Sequence, residues 1–219
     1  MDIRRARGKS MVKRCVRVYI EGGAEGRVAD SDFRRCWKKF LMELHELARN
    51  NNFHSLEVVR GKGRHGAYES FKKRRNAYPN DLCVLLVDSE TVVPPKSLVW
   101  DVVKKRKGDN WERPAWATED HLYLMAVFVE TWLLTDQDAL KTFFKRNFNE
   151  KVLPTTNLEK REKPEIEQAL RSATRHCSKS YSHGLGNEII EIVKAENVKT
   201  LSHGNRLFTG LSNLIQNQN

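Results

Sequence analysis

Acidic residues follow two apolar stretches of the chain, at the points where those stretches end. Asp88 and Glu90 come directly after the six apolar residues Leu82–Val87. Glu21 and Glu25 lie in a glycine-rich segment that follows a shorter stretch. Carboxylate oxygens are the ligands that Mg²⁺ and Mn²⁺ prefer, and a carboxylate can also accept a proton from water. These acids therefore predict a divalent-cation site. The alternative is that Asp88 only caps a loop or the helix that follows it.

The apolar stretches are typical of strands in a parallel sheet. Val16–Ile20 is rich in β-branched residues, and Leu82–Val87 has no polar residue, as expected of a strand buried on both faces. His54–Val59 and the apolar run His121–Val129 predict two more strands. The carboxyl ends of parallel strands lie at one edge of the sheet, where such sheets bind ligands. We therefore expect the acids to meet at that edge.

Helices are predicted between these strands. Apolar residues recur at helical spacing over Phe33–Ala48, and a second helix is expected from Ala67. The alternation of strands and helices predicts an α/β domain over residues 15–150, with a mostly parallel sheet of about four strands and right-handed crossovers. An irregular insertion is expected at 91–120, and a helical C-terminal region at 151–219.

The composition is strongly basic. Lys and Arg number 39 against 28 Asp and Glu, which gives a net charge of +11. This balance suits a polyanion, most commonly nucleic acid. No apolar stretch approaches the roughly 18 residues of a membrane helix, and the start lacks the apolar core of a signal peptide, so we expect a cytoplasmic protein without a membrane partner. The four scattered cysteines indicate neither a zinc site nor a disulfide framework, and the absence of a phosphate-loop motif excludes an ATPase of that kind.

The basic side chains that we expect to contact phosphates lie mainly in two segments, 60–75 and 104–106. A solvated surface is the alternative for each of them, and also for the basic arm 1–14, which we expect to be flexible. The complete set is Arg60, Lys62, Arg64, Lys72, Lys73, Arg74, Arg75, Lys104, Lys105, Arg106 and Lys179.

Several other side chains permit two interpretations. The three tryptophans of the insertion, at positions 100, 111 and 116, either stack on unpaired bases or anchor the insertion on the domain. Tyr181 and His183 lie in a loop that either reaches the substrate or is only structural. Glu130 is costly to bury unless it is paired or binds metal. It joins the other acids if the fourth strand ends near Val129, and is a less certain member if the whole segment is one helix.

Two of these strand ends resemble the signature elements of the Toprim fold, which topoisomerases, bacterial primases and the overcoming-lysogenisation-defect nucleases share. The first is segment 20–25, Ile-Glu-Gly-x-x-Glu, and the second is segment 86–90, Leu-Val-Asp-Ser-Glu. Glu90 stands where that superfamily has a second Asp. Segment 128–134 resembles the Glu-x-Trp-Leu-Leu element of RloB-like proteins. The resemblance is closest to a Toprim-like bacterial family that is often encoded beside AAA or ABC-type ATPases in anti-phage gene clusters.

This resemblance implies a metal-dependent nuclease that cleaves phosphodiester bonds in DNA, tRNA or other RNA. It further implies one or two Mg²⁺ or Mn²⁺ ions held by Glu21, Asp88 and Glu90, with Glu25 or Glu130 completing the site and Glu21 or Glu25 acting as general base. Such a protein is expected to be the effector of an anti-phage, abortive-infection system that an ATPase partner controls. A homodimer is one option for its released state.

Three alternatives remain open from the sequence. The first is a non-catalytic module that binds nucleic acid or a partner through a decayed site. The second is a phosphotransfer enzyme or receiver domain, which also carries an Asp at a strand end. The third is an effector that is silent until an ATPase releases it. Dependence of cleavage on Mg²⁺ or Mn²⁺ separates the nuclease from the binding module.

Overall fold

The sheet has four parallel strands, as the sequence predicts. A computed structural model describes residues 13–22 and 29–217, with only the backbone of residues 75 and 76. Within these residues the strands are β1 (Val16–Ile20), β2 (Leu56–Arg60), β3 (Leu82–Asp88) and β4 (Leu122–Met125). They pair in the order β2-β1-β3-β4, and all three pairings are parallel. The α/β fold class, with helices flanking the sheet and a helical C-terminal region, is therefore confirmed.

Helices connect the strands and form the region after β4. The described helices are α1 (Asp30–Phe40), α2 (Met42–Asn50), α3 (Gly63–Ala77), α4 (Val99–Lys105), α5 (Val129–Leu133), α6 (Gln137–Phe144), α7 (Lys163–Thr174), α8 (Gly186–Ile190), α9 (Ala195–Val198) and α10 (Ser202–Gln216). Short 3-10 turns cover 119–121, 150–152, 158–160 and 183–185. Among the residues described, no helix combines the length and the hydrophobicity that a membrane crossing requires.

The sheet is covered on both faces. Because successive residues of a strand point to opposite faces, Val18 of β1 packs with α1, α2 and the C-terminal helices, whereas Tyr19 packs with α3, α4 and the insertion. All seven residues of β3 are buried. This two-sided burial explains why the central strand is a continuous apolar run.

The structure corrects several predicted boundaries. The single helix expected at Phe33–Ala48 is divided into α1 and α2 at Leu41, and α3 begins at Gly63 instead of Ala67. The insertion at 91–120 is not wholly irregular, because 99–105 form α4, whose apolar side packs on the sheet. The strand expected at 121–129 ends at Met125.

The strand order fixes where a ligand would bind. β1 pairs with β2 on one side and with β3 on the other. The connection from β1 to β2 therefore runs toward one edge of the sheet, and the connection from β2 to β3 runs back past β1 toward the other edge. Open parallel sheets bind ligands at the carboxyl edge of such a switch point. Glu21 and Asp88 lie at this edge.

Candidate metal centre

The acids of β1 and β3 converge at the switch point. Glu21 continues the β1 ladder, since its backbone N–H donates to the carbonyl of Leu86 at 3.0 Å. The Glu21 carboxylate then accepts a hydrogen bond from the backbone N–H of Asp88, at 3.2 Å. One carboxylate oxygen from each of Glu21, Asp88 and Glu90 lies within 4.8 Å of the others. The predicted convergence of these three side chains is confirmed, and we call them the acid cluster.

A local backbone conformation turns Glu90 toward the acid cluster. Its φ is +65°, in the left-handed region, and its N–H donates to the carbonyl of Val127 at 2.7 Å. A residue with a Cβ adopts this conformation at a cost of about 1–2 kcal/mol. Strained residues of this kind concentrate at functional sites. Glu90 therefore brings a third carboxylate to the same edge as Glu21 and Asp88.

Burial and like charge destabilise the ionised acids. Burial raises the pKa of Asp88 well above its ordinary value, and the carboxylates of Glu21, Glu130 and Glu90 add to this rise. Burial also raises the pKa of Glu21, against the opposing effect of Arg64. The backbone N–H of Val129 donates to Asp88 Oδ1 at 3.1 Å, which partly stabilises its charged form. The cost of ionising Asp88 therefore comes mainly from burial and in smaller part from the like charges of the neighbouring carboxylates.

Three cations surround the acid cluster. The Arg64 guanidinium lies 3.1 Å from Glu21 and also donates to the carbonyl of Asp88. The Lys163 ammonium donates to Glu90 at 2.8 Å, and Arg106 lies 3.9 Å from the same carboxylate. These contacts show that Glu21 and Glu90 have protein partners.

The insertion holds Arg64 in place. Asp109 accepts hydrogen bonds from the Arg64 Nε at 2.7 and 2.9 Å, and the guanidinium lies 4.8 Å from the ring centre of Trp111. Trp111 in turn stacks on Tyr68 of α3. Trp100 and Trp111 are buried, so they anchor the insertion and are not free to stack on bases.

The charges of the whole site leave a negative excess. Five carboxylates lie in or beside the acid cluster, namely Glu21, Asp88, Glu90, Asp109 and Glu130. The permanent cations paired with them are Arg64, Arg106 and Lys163. Counting these groups as ionised, two more negative than positive charges remain when His183 is neutral, and one more when His183 is protonated. A donor set of hard oxygens with this excess fits a divalent cation, whose remaining positions would be filled by water.

Glu130 lies on α5, behind the acid cluster, and is fully buried. Its Oε1 accepts a hydrogen bond from the Tyr181 hydroxyl and lies 2.6 Å from Nδ1 of His183. Neither a strand end near Val129 nor a single long helix describes its position, because β4 ends at Met125, five residues before Glu130, and α5 is short. Glu130, Tyr181 and His183, each singled out from the sequence, are thus brought together.

Most of the predicted phosphate-binding side chains have partners within the protein. Those in contact with a carboxylate or an aromatic ring are Arg60 (Asp30), Arg64 (Glu21, Asp109), Lys72 and Lys73 (Glu69), Arg74 (Tyr78), Lys104 (Glu112), Arg106 (Asp109, Glu90) and Lys179 (Glu188). The side chains of Arg60 and Arg64 are each only 10% exposed. Arg64 differs most from the prediction, because it contacts Glu21 of the acid cluster. It lies inside the site and not on a basic surface.

Two predicted positions cannot be placed. Glu25 and the side chain of Arg75 lie outside the described residues, as does most of the basic arm 1–14. At the end of that arm, the Arg14 guanidinium lies 4.2 Å from the ring centre of Phe53.

A groove beside Glu90 provides a basic surface next to the acid cluster. Its volume is about 720 Å³, and it runs along the start of the insertion and α4. Four cations line it: Lys96, Lys105, Arg106 and Lys107. Glu90 and Asp101 are its acidic residues. The predicted segment 104–106 includes Lys105 and Arg106 of this surface, whereas Lys96 has no sequence neighbour that would indicate it.

Sequence reasoning also missed two residues that contact the site, Lys163 and Asp109. Lys163 is 73 positions from the carboxylate that it contacts. Asp109 lies in the segment expected to be irregular. Neither belongs to a local motif, so only the tertiary structure identifies them.

The fold and the site define an α/β protein with a four-stranded parallel sheet and three carboxylates at its topological switch point. A family model described as a domain of unknown function, DUF4276, matches residues 20–212. The chain therefore belongs to the DUF4276 family. Comparison with curated proteins and with solved structures gave no match.

Proposed function

We propose that this protein is a metal-dependent nuclease of the Toprim type. The observation that carries the proposal is the convergence of Glu21, Asp88 and Glu90 within 4.8 Å at the carboxyl edge of the sheet. Their negative excess, in a chain of net charge +11, supports a site that combines a cation with a polyanion. The resemblance of segments 20–25 and 86–90 to Toprim signature elements agrees with this assignment.

Glu21, Asp88 and Glu90 would hold Mg²⁺ or Mn²⁺. When bound there, the cation would supply positive charge to the scissile phosphate and increase the acidity of a water molecule. Glu21 would accept the proton of the attacking water. Its Oε2 already accepts hydrogen bonds from Arg64 and from Asp88 N–H, and the side chain is 17% exposed, so Oε1 is the oxygen that would take the proton. Arg64 would orient Glu21 by its bonds to Asp109.

The groove beside Glu90 would bind the phosphates of the substrate strand. Lys105 and Lys107 are exposed there, next to Arg106. Electrostatic contacts of this kind are independent of base sequence and weaken with salt. Reversing the charge of Lys105 and Lys107 should reduce affinity for a duplex oligonucleotide and lower the salt slope by about 0.9 for each lost contact. Lys38→Glu, which makes the same change at an exposed position of α1, is the matched control for each single reversal.

The proposal is tested by incubating the purified chain with plasmid DNA, single-stranded DNA and total tRNA, in Mg²⁺, Mn²⁺ or EDTA. We expect cleavage of at least one substrate in the presence of metal only. Asp88→Asn and Glu21→Gln should each abolish cleavage while leaving binding intact. Glu150→Gln, which removes a carboxylate that pairs with Lys141 outside the acid cluster, should cleave like the wild type. Cleavage that both site variants retain would refute the assignment.

A second candidate is a nucleic-acid-binding module without catalysis. The ion pairs of Arg64 with Glu21 and of Lys163 with Glu90 favour it, because cations of the protein then take the place of a metal. In that case nucleic acid binds equally well with Mn²⁺ and EDTA, and no product forms under either condition.

Control by an AAA or ABC-type ATPase, and a cytoplasmic location, belong to the same proposal and are supported by the sequence resemblance alone. Co-expression with an AAA or ABC-type ATPase tests the proposed control. We expect the two proteins to co-purify and cleavage to respond to ATP. Separate elution and cleavage that is indifferent to the ATPase would contradict this part of the proposal.

A further inference from the structure

Glu130 has a fully buried carboxylate, and among the described residues only its Oε1 has polar partners. Its Oε1 accepts from the Tyr181 hydroxyl and contacts His183 Nδ1. Its Oε2 is also buried, and within the described part of the chain it has no hydrogen-bond partner. An ionised carboxylate in this position is costly unless a positive partner compensates it. His183 is the cationic partner that the structure supplies.

His183 presents the rest of its ring to solvent. The side chain is 64% exposed although its Nδ1 is fixed by Glu130 at 2.6 Å. The other ring nitrogen, Nε2, lies on the opposite side of the imidazole from this bond. A buried carboxylate that fixes one nitrogen of an exposed imidazole leaves the other free to act on a substrate.

Three consecutive residues connect this histidine with the acid cluster. The Phe128 ring is nearly parallel to the His183 ring, with 6.5 Å between their centres. The next residue, Val129, donates its backbone N–H to Asp88 Oδ1 at 3.1 Å. The third residue is Glu130, which contacts His183. Lys163, which donates to Glu90, also lies 4.9 Å from the centre of the Phe128 ring. His183 and the acid cluster are therefore held by the same short segment at one edge of the sheet.

We propose that His183, positioned by Glu130, is the proton donor to the leaving oxygen of the phosphodiester. This role rests on the proposed nuclease function and adds to it a residue outside the acid cluster. His183 would be the catalytic residue, because Nε2 touches the reacting oxygen. Glu130 would be a positioning residue, which acts through His183.

The proposed step is balanced in atoms and charge. The oxygen of water forms a bond to phosphorus and its proton passes to Glu21, while the bond from phosphorus to the leaving oxygen breaks. The leaving oxygen takes the proton of His183 Nε2 and departs as a hydroxyl group. The neutral imidazole, still bonded to Glu130, then regains a proton from solvent, and Glu21 releases the proton that it accepted.

The groups around His183 favour its protonated form. The hydrogen bond to Glu130 raises the pKa of His183 above its ordinary value of 6.5, with a smaller contribution from Glu167 of α7. Burial and Lys163, also of α7, act in the opposite direction. The Tyr181 hydroxyl shares Glu130 Oε1 with His183. The contact with Glu130 thus favours the protonated imidazole, which is the form that can donate a proton.

The test compares two substrates that differ in their leaving group, with Mn²⁺ present. An oligonucleotide needs a proton on its leaving oxygen, whereas bis(p-nitrophenyl) phosphate releases an anion that is stable without one. His183→Ala should reduce oligonucleotide cleavage about 100-fold or more, the usual contribution of a general acid, and change release of p-nitrophenolate by less than about threefold. His183 is exposed, so this variant should fold. His203→Ala is the matched control, because His203 contacts Glu159 in a similar pair, at 3.2 Å.

The possible outcomes are distinct. If the wild type cleaves both esters, and His183→Ala is impaired equally on both or on neither, the proposed role of His183 is overturned. A wild type inactive on both would overturn the nuclease proposal, and this role with it. NMR titration of the metal-free protein provides a readout independent of activity. We expect the pKa of His183 to lie above 6.5 in the wild type and to fall in Glu130→Gln. A wild-type value at or below 6.5 would contradict the pairing.

Discussion

Replacing Asp88 with Asn should stabilise the metal-free protein and abolish its response to divalent cations. Asp88 is buried, and burial together with three neighbouring carboxylates raises its pKa. Asn has nearly the same shape, and its carbonyl oxygen can still accept the N–H of Val129, which lies 3.1 Å from Asp88 Oδ1. The substitution therefore removes a charge without creating a cavity.

The expected magnitude follows from the geometry of the acid cluster. Two carboxylates with oxygens 4.8 Å apart repel by about 3.5 kcal/mol at an effective dielectric constant of about 20. Attraction to Lys163 offsets part of this repulsion. Protonation sets an upper limit on this destabilisation. Protonating a group with an ordinary pKa of 3.8 costs about 4 kcal/mol at pH 7, so if ionised Asp88 destabilised the folded protein by more than this, Asp88 would stay protonated there. We expect Asp88→Asn to raise the free energy of unfolding by about 1–4 kcal/mol.

The pH dependence has a definite sign. Since the pKa of Asp88 is higher in the folded than in the unfolded state, the folded protein binds more protons, and this group destabilises it as the pH rises above 3.8. The gain in stability of Asp88→Asn over the wild type should therefore be largest near pH 8 and smallest near pH 4. Thermal unfolding in EDTA, followed by circular dichroism, measures the difference at about 2–4 °C per kcal/mol for a chain of this length. Added Mn²⁺ at 100 times its dissociation constant should stabilise the wild type by about 2.7 kcal/mol, and the variant by much less.

A lower melting temperature for Asp88→Asn in EDTA at pH 8 would refute this reasoning. It would mean that Arg64 and Lys163 already compensate the charge of Asp88 in a structural ion network. Asp136→Asn is the control for replacing a buried Asp outside the acid cluster. Asp136 accepts backbone hydrogen bonds through both oxygens, from Ala139 and Lys194, so its replacement should destabilise the protein by about 1 kcal/mol.

Three further predictions concern residues around the site. Arg64→Leu should lower the free energy of unfolding by about 3 kcal/mol in urea titrations, because it leaves buried acids without their cation; a loss under 1 kcal/mol would contradict this. Gly61→Ala should destabilise the protein by about 1–3 kcal/mol, because the new Cβ would lie 2.5 Å from the Cβ of Ala67. Gly66→Ala, in α3, is the control: its new Cβ has its nearest neighbour at 3.4 Å, so this variant should be more stable by about 0.5–1 kcal/mol. Equal effects of the two substitutions would refute the packing argument. Lys163→Met should tighten Mn²⁺ binding about tenfold in calorimetric titrations, because a competing positive charge is removed from the acid cluster; weaker binding would indicate that Lys163 supports the site.

The strands and their acids follow from local pattern. An apolar run that lies in the middle of a parallel sheet is covered on both faces, and this burial is visible in the composition of β3 itself. The position of Asp88 at its end then follows from where the apolar run stops. Glu21 is found in the same way, after the mostly apolar stretch of β1.

Other parts of the site depend on tertiary contacts that no local pattern records. Residues 122–134 are almost uniformly apolar, because β4 and α5 are both buried, so periodicity could not place the boundary between them. Glu130 could be singled out as a buried acid, but its partners are more than 50 positions away. Lys163 could not be identified at all, since a lysine at a helix start is usually solvated. Arg64 has the sequence context of a surface residue and is buried only because Asp109 and Trp111 of the insertion cover it.

The central claim is that the acid cluster binds a divalent cation, and anomalous diffraction from crystals soaked in Mn²⁺ tests it most directly. We predict one or two anomalous peaks in contact with carboxylate oxygens of Glu21, Asp88 and Glu90, with none at this position in crystals of Asp88→Asn. Mn²⁺ found elsewhere, while Arg64 and Lys163 keep their bonds to Glu21 and Glu90, would contradict the account.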